Sequence, residues 1–198
     1  MHRYHILVEY VGTNFCGWQI QSKGQSIQKL IQIKTSMLQK EKIKIIGSGR
    51  TDSGVHAVQQ SAHFDCKKKI ENLDKFLKSI NYFLNKKLIS IINIKKKRLN
   101  FHARFSAKQR IYKYVIFNRV SAPSIEKNMV WHIKKKLDLK LMKKGAKKLL
   151  GTNDFSTFFL QSKWEDCCTA WTPESVLPEP IIFIFSFCNI EVLICINF

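Results

Sequence analysis

Two apolar periods alternate along the first 150 residues, and few architectures accommodate that alternation. Period-two runs predict strands at Tyr4–Tyr10 ("YHILVEY", ended by Gly12), Lys42–Ile46 ("KIKII"), "VQQSAHFDC" after Ala57, "LISIINI" and "QRIYKYVIFN". Between them, Ser26 reads as the N-cap of a helix whose apolar face is Ile27, Leu30, Ile31, Met37 and Leu38. Helical spacing returns at Leu73, Phe76, Leu77, Ile80, Phe83 and Leu84, and "LDLKLMKKGAKKLLG" reads as a basic amphipathic helix ending at Gly151. The "KKKR" run after "LISIINI" reads as a solvated exit. The order strand, helix, strand, strand, helix, strand, strand, helix suits an α+β fold: a mixed, mainly antiparallel sheet with helices on one face.

The chain has 198 residues, enough for one large domain or two small ones sharing a sheet. Its formal net charge of +20 points to a polyanionic partner, with nucleic acid the obvious one. Low-GC coding produces the same lysine-, isoleucine- and asparagine-rich composition, so charge alone does not decide the matter. No cysteine pair has C-x-x-C spacing and no histidine pattern completes a zinc site, so no metal is expected. The start, "MHRYHILVEYVG", lacks the apolar run of a signal peptide, and free thiols in a reducing cytoplasm are the expectation.

Composition breaks near residue 160. Residues 1–160 hold 33 of the 34 Lys and Arg and 9 of the 14 acids, whereas residues 161–198 hold one lysine and four of the six cysteines. The last 18 residues, "IIFIFSFCNIEVLICINF", are nearly all apolar. A membrane span is one reading, but Asn189, Glu191 and Asn197 interrupt it and no basic anchor follows. Two buried strands broken near Cys188–Asn189 suit the pattern better, and no membrane association is expected. The charge reversal also raises the expectation that a frameshift or sequence error near residue 160 replaced the original C-terminal part.

Two stretches carry candidate chemistry. In "GSGRTDSGVHA", Gly47 to Ala57, glycines at 47, 49 and 54 permit a tight path around a single carboxylate, Asp52. A carboxylate on a strand-to-loop corner can be both exposed and rigid, as a catalytic group requires. Arg50 could pair with it, or reach a phosphate or a base. The plainer alternative is that Asp52 caps a turn and Arg50 simply salt-bridges to it. An aspartic-protease or glycosidase arrangement needs a second carboxylate that the sequence does not offer. In "FHARFSAKQRIYKY", Phe101 to Tyr114, the cations His102, Arg104, Lys108, Arg110 and Lys113 interleave with Phe101, Phe105, Tyr112 and Tyr114. Cations meet phosphates while aromatic faces stack on unpaired bases, which suits RNA loops. An ordinary strand with one wet and one core face explains the same pattern. His56 and His63 are further candidates, although lone histidines near strands are more often structural.

Together with "VEYVGTNFCGWQIQ" before them and Gly151 to Phe158 after them, these stretches resemble the tRNA pseudouridine synthase A family, over about 160 residues and in the family's order. The resemblance implies a pseudouridine-synthase-like fold, normally of two similar α/β subdomains flanking a basic cleft; here they correspond to residues 1–105 and 106–198. It implies that Asp52 is the catalytic aspartate, that Arg50 helps displace the target nucleotide, and that Tyr112 packs on the target uracil. The implied reaction is isomerisation of uridine to pseudouridine at positions 38 to 40 of the tRNA anticodon stem-loop, with no cofactor or metal. A cytoplasmic homodimer is implied where the C-terminal part is functional. Val11, Gln59 and Asn85 stand where the family usually has Asp, Gly and Pro. Because the C-terminal part departs from the family, a non-catalytic tRNA-binding remnant is the alternative.

Overall fold

The computed structural model describes residues 1–149, 181–186 and 190–197. The chain divides into two compact units, Met1–Ala107 and Lys108–Phe198. In the first, β1 (His2–Tyr10), β2 (Ile45–Gly47), β3 (Ala57–Cys66) and β4 (Ile89–Lys97) form an antiparallel sheet in the order β2-β3-β1-β4. Helices α1 (Ile27–Gln39) and α2 (Leu73–Leu84) connect its strands. Tyr4, Ile6, Val8 and Tyr10 are the buried residues of β1, every second position, and they share one core with Ile27 and Ile31 of α1 and Phe76, Ile80 and Leu84 of α2. The first unit is therefore the expected antiparallel sheet with helices on one face, and the fold is α+β.

The helix starts follow from their caps. The Ser26 side chain accepts from Lys29 N at 3.3 Å and Asn72 Oδ1 accepts from Lys75 N at 2.8 Å, each meeting one of the amide groups a helix N-terminus leaves unpaired. Met37 does not join the core: α1 buries Ile27, Ile31 and Thr35, a straight i, i+4, i+8 row, which turns Met37 outward. Nor is "KKKR" merely a solvated exit, because β4 continues to Lys97, where Lys95, Lys96 and Lys97 lie opposite His5, Tyr4 and Arg3. Lysine is well suited to an edge strand, where its charge discourages pairing with a further chain.

Two register shifts shape this sheet. Between Leu7 and Val8 the partner on β4 jumps from Asn93 to Ile91, so Ile92 is extra and half exposed, while Ile89, Ile91 and Ile94 all reach the core despite their mixed parity. Between Val8 and Tyr10 the partner on β3 jumps from Gln60 to Ala57. This second bulge places Val58 and Gln59 outside the ladder, directly after the glycine-rich loop. Gln59, where the resembled family usually has glycine, needs no left-handed backbone there.

In the second unit, β5 (Gln109–Asn118), β6 (Trp131–Ile133), β7 (Ile181–Ser186) and β8 (Ile190–Asn197) run in the order β6-β5-β8-β7. β6 is parallel to β5 and the other pairs are antiparallel, so the sheet is mixed. The apolar end of the chain thus forms two strands parted around residues 187–189, and β8 pairs with β5 along its length. Strand β6 is too short to show a period in sequence. It is held by Asn118, whose Nδ2 donates to Ile133 O at 2.8 Å and to Lys135 O at 2.7 Å. Helix α3 (Leu139–Lys147) is capped by Asp138; its expected end at Gly151 and the block Gly151 to Phe158 lie outside the described residues. Among the described residues no helix is long and apolar enough to cross a membrane.

Candidate functional site

The loop between β2 and β3 is fastened along its length from beneath. Tyr10, at the end of β1, is 2 % exposed, and a buried phenol needs a hydrogen-bond partner. Its hydroxyl donates to Gln60 Oε1 and lies 2.9 Å from Thr51 Oγ1, which is left to donate in return. Gln60 Nε2 donates to Gly49 O at 3.0 Å. One buried pair of side chains therefore holds the residues on either side of Arg50. Burial pushes the Tyr10 hydroxyl up to about 12, so it remains protonated at any physiological pH.

The segment Gly12–Trp18 holds the other side of the loop. Trp18 N donates to Thr51 O at 3.1 Å, and the Ser53 hydroxyl donates to Phe15 O at 3.1 Å. Gly12 N donates to His56 Nδ1 at 3.2 Å, which gives that histidine a structural role. Glycine is required where the two backbones meet. A Cβ at Gly12 would lie 1.9 Å from Val55 O, and one at Gly17, whose φ is +106°, would lie 2.4 Å from Thr51 O.

On this clamped corner Arg50 and Asp52 both project into solvent. The ion pairs among the described residues are Arg3–Asp65 and Lys69–Glu71, so Arg50 and Asp52 are not bound to each other. That outcome removes the salt-bridge reading of Arg50 and leaves a rigidly mounted, accessible carboxylate with an accessible guanidinium two residues away. Among the described residues no group of three or more His, Cys, Asp and Glu could hold a metal ion.

The first half of the basic and aromatic stretch is a turn laid on the sheet face opposite the helices. Arg3 donates to both carboxylate oxygens of Asp65 at 2.7 Å, and to Leu99 O and Phe101 O at 2.6 Å. The Arg3 guanidinium holds the Asp65 carboxyl below the usual carboxylate range. His63, fully buried on β3, accepts from Ala103 N at 3.1 Å through Nδ1, so the ring is neutral with its proton on Nε2. Burial first, then the nearby Arg3 charge, pushes His63 down to about 4. His102 accepts from Arg104 N at 3.2 Å and from Phe105 N at 3.4 Å, capping the turn from within. Its ring is thereby committed to the turn, while Arg104 is exposed.

Lys108, Arg110, Tyr112 and Lys113 belong to the second unit, the last three on β5. Tyr112 is 40 % exposed and lies opposite Ile194 of β8; Lys108 and Lys113 are exposed and Arg110 is half-buried. Tyr10, Thr51 and Gln60 are the residues sequence reasoning missed. Their signal was there: strand alternation sends Tyr10 to the core face, and its hydroxyl must then find a partner.

A family model described as tRNA pseudouridine synthase matches residues 6–106, which include the loop, its clamp and the turn. Among curated proteins, the chain is 68% identical over 173 residues to the tRNA pseudouridine synthase A of Pelagibacter ubique (strain HTCC1062), covering 87% of this chain and 68% of that protein. It is 42% identical over 156 residues to the tRNA pseudouridine synthase A of Neorickettsia sennetsu (strain ATCC VR-367 / Miyayama), covering 79% of this chain and 64% of that protein. The chain belongs to the tRNA pseudouridine synthase family, a family of isomerases. It spans about two thirds of the length of these relatives. An alignment of 173 residues within 198 reaches at least residue 173, so similarity to the first relative continues past the break in composition near residue 160.

Proposed function

We propose that this chain isomerises uridine to pseudouridine in the anticodon stem-loop of tRNA, at positions 38 to 40, with Asp52 as the catalytic group. The observation that carries the reading is the mounting of Asp52: exposed, unpaired with Arg50, and set in a loop whose neighbours on both sides are pinned to the fold. In the reaction the N1–C1′ bond breaks, the uracil turns, and a C5–C1′ bond forms. C5 gives up its proton and N1 gains one, so product and substrate are isomers and no cofactor is consumed. Asp52 supplies the nucleophile, at the sugar or at the base, while the fixed loop keeps it aligned. A stem nucleotide must leave its stack at a cost of roughly a few kcal/mol. Arg50 occupies the vacated space, and Tyr112 packs on the freed ring. Arg104, Lys108, Arg110 and Lys113 contact the RNA, with His102 holding the turn that carries Arg104, and phosphate contacts of this kind position a substrate without reading its sequence. The work takes place in the cytoplasm, in a homodimer.

The break in charge and composition near residue 160 favours one alternative, a tRNA-binding remnant without turnover. Incubation with tRNA tritiated at uridine C5 separates the two. Tritium release by the parent but not by Asp52→Ala supports the synthase. No release from either protein, with tRNA still shifted in a gel, supports the remnant and refutes catalysis.

A further inference from the structure

Phe105 is the outermost member of a column of three rings rooted in the sheet. Buried His63 meets His102 edge-on, with centroids 4.8 Å apart and planes at 65°. His102 in turn stacks on Phe105 at 4.4 Å and 29°. The outer side of Phe105 is open, its residue being 79 % exposed. An exposed phenylalanine by itself means little, since apolar residues are common on protein surfaces. This one is immobilised. Its backbone N–H is held by His102 Nδ1, Ser106 N and His102 O close the turn at 2.8 Å, and Ala103 N is anchored to His63. A ring whose position is already determined loses little further freedom when a flat ligand covers it.

The surroundings select the ligand. Residues 95–108, "KKKRLNFHARFSAK", contain no acid. The Arg104 guanidinium lies 5.9 Å from the Phe105 ring, and Lys97 Nζ lies 5.4 Å from the ring of Phe101. Aromatic faces between cations meet the two chemical parts of a single-stranded nucleotide, the planar base and its phosphate. We propose that the outer face of Phe105 is a stacking platform for one unpaired RNA base, with Arg104 meeting the adjoining phosphate. This inference rests on tRNA being the substrate and assigns a contact outside the catalytic loop.

The test measures binding by fluorescence anisotropy, using the full chain with a hairpin RNA carrying an unpaired loop and with a fully paired RNA duplex of equal length. Loss of one base–aromatic stack in Phe105→Ala should weaken hairpin binding about 5- to 150-fold. Phe105→Tyr should stay within about two-fold of the parent, because its face still stacks. Duplex binding should be unchanged in every variant, and thermal melting should show each variant folded, as the ring lies outside the core. Undiminished hairpin binding by Phe105→Ala overturns the proposal. So does full affinity in Phe105→Leu, which would indicate apolar packing without stacking, or an equal loss on the duplex. A change in self-association without a change in RNA binding overturns it in favour of a protein contact. A parent that binds neither RNA defeats this inference and the tRNA reading together. A parent that binds and releases tritium beside an unaffected Phe105→Ala defeats this inference alone.

Discussion

Tyr10→Phe removes one oxygen atom from beneath the loop that carries Asp52 and leaves the ring in place against Trp18, whose centroid is 6.0 Å away. Gln60 is 8 % exposed, so its Oε1 loses a donor that water does not readily replace, and Thr51 loses its acceptor. One buried polar group left unpaired costs about 1–3 kcal/mol. For a domain the size of the first unit each kcal/mol lowers Tm by about 4–8 °C, so the variant should melt about 4–24 °C below the parent. The functional effect has a separate origin. Thr51 loses its side-chain anchor and Gln60, which holds Gly49, loses its own, and a resulting shift of about 1 Å at the carboxylate would slow tritium release about 100-fold with tRNA affinity little changed. Because the Tyr10 hydroxyl titrates only near 12, the deficit should be constant between pH 6 and 9. Thermal melting and single-turnover tritium release at saturating enzyme provide the two readouts. An unchanged Tm refutes the clamp. A lowered Tm with parental turnover shows a clamp that stabilises the fold without aligning Asp52.

Other outcomes follow from the same geometry. The unfolded chain protonates His63 near pH 6.5 whereas the folded chain resists until about 4, so stability should fall as pH drops through that window, by about 3 kcal/mol in all. Urea midpoints at pH 7.0, 5.5 and 4.5 measure this, and a flat series contradicts the buried, neutral ring. Gly12→Ala sets a Cβ 1.9 Å from the Val55 carbonyl, and since the obstacle is backbone, the loop must move and tritium release should vanish. Gly54→Ala meets nothing within 4 Å and strains only its φ of +81°, so it should cost roughly 1–2 kcal/mol and retain activity. Equal losses in the two glycine variants would argue against close approach as the reason for Gly12.

Much of the first unit was legible because its signals are local. Ser26 caps a helix through its own side chain and the amide three residues on, and the alternation of β1 follows from the pleat of a strand. The strand character of the apolar C-terminal run was also readable, since Asn189 and Glu191 interrupt it. The loop that carries Asp52 stood out by its glycines and its single acid. What sequence alone left open was whether that acid is free to act, because the answer depends on groups far away in the chain. Tyr10 and Gln60 are 50 residues apart, and the register that sets them on one face, with Val8 opposite Gln60, is a property of paired strands, invisible in either one. Ile92 is extra only relative to Leu7 and Val8, and His63 has a partner only because Ala103 returns to it 40 residues later. Local chemistry therefore specified the elements and the candidate carboxylate. Pairing register and long-range hydrogen bonds, which no single segment contains, decided that Asp52 stands exposed on a rigid corner instead of being consumed in a salt bridge.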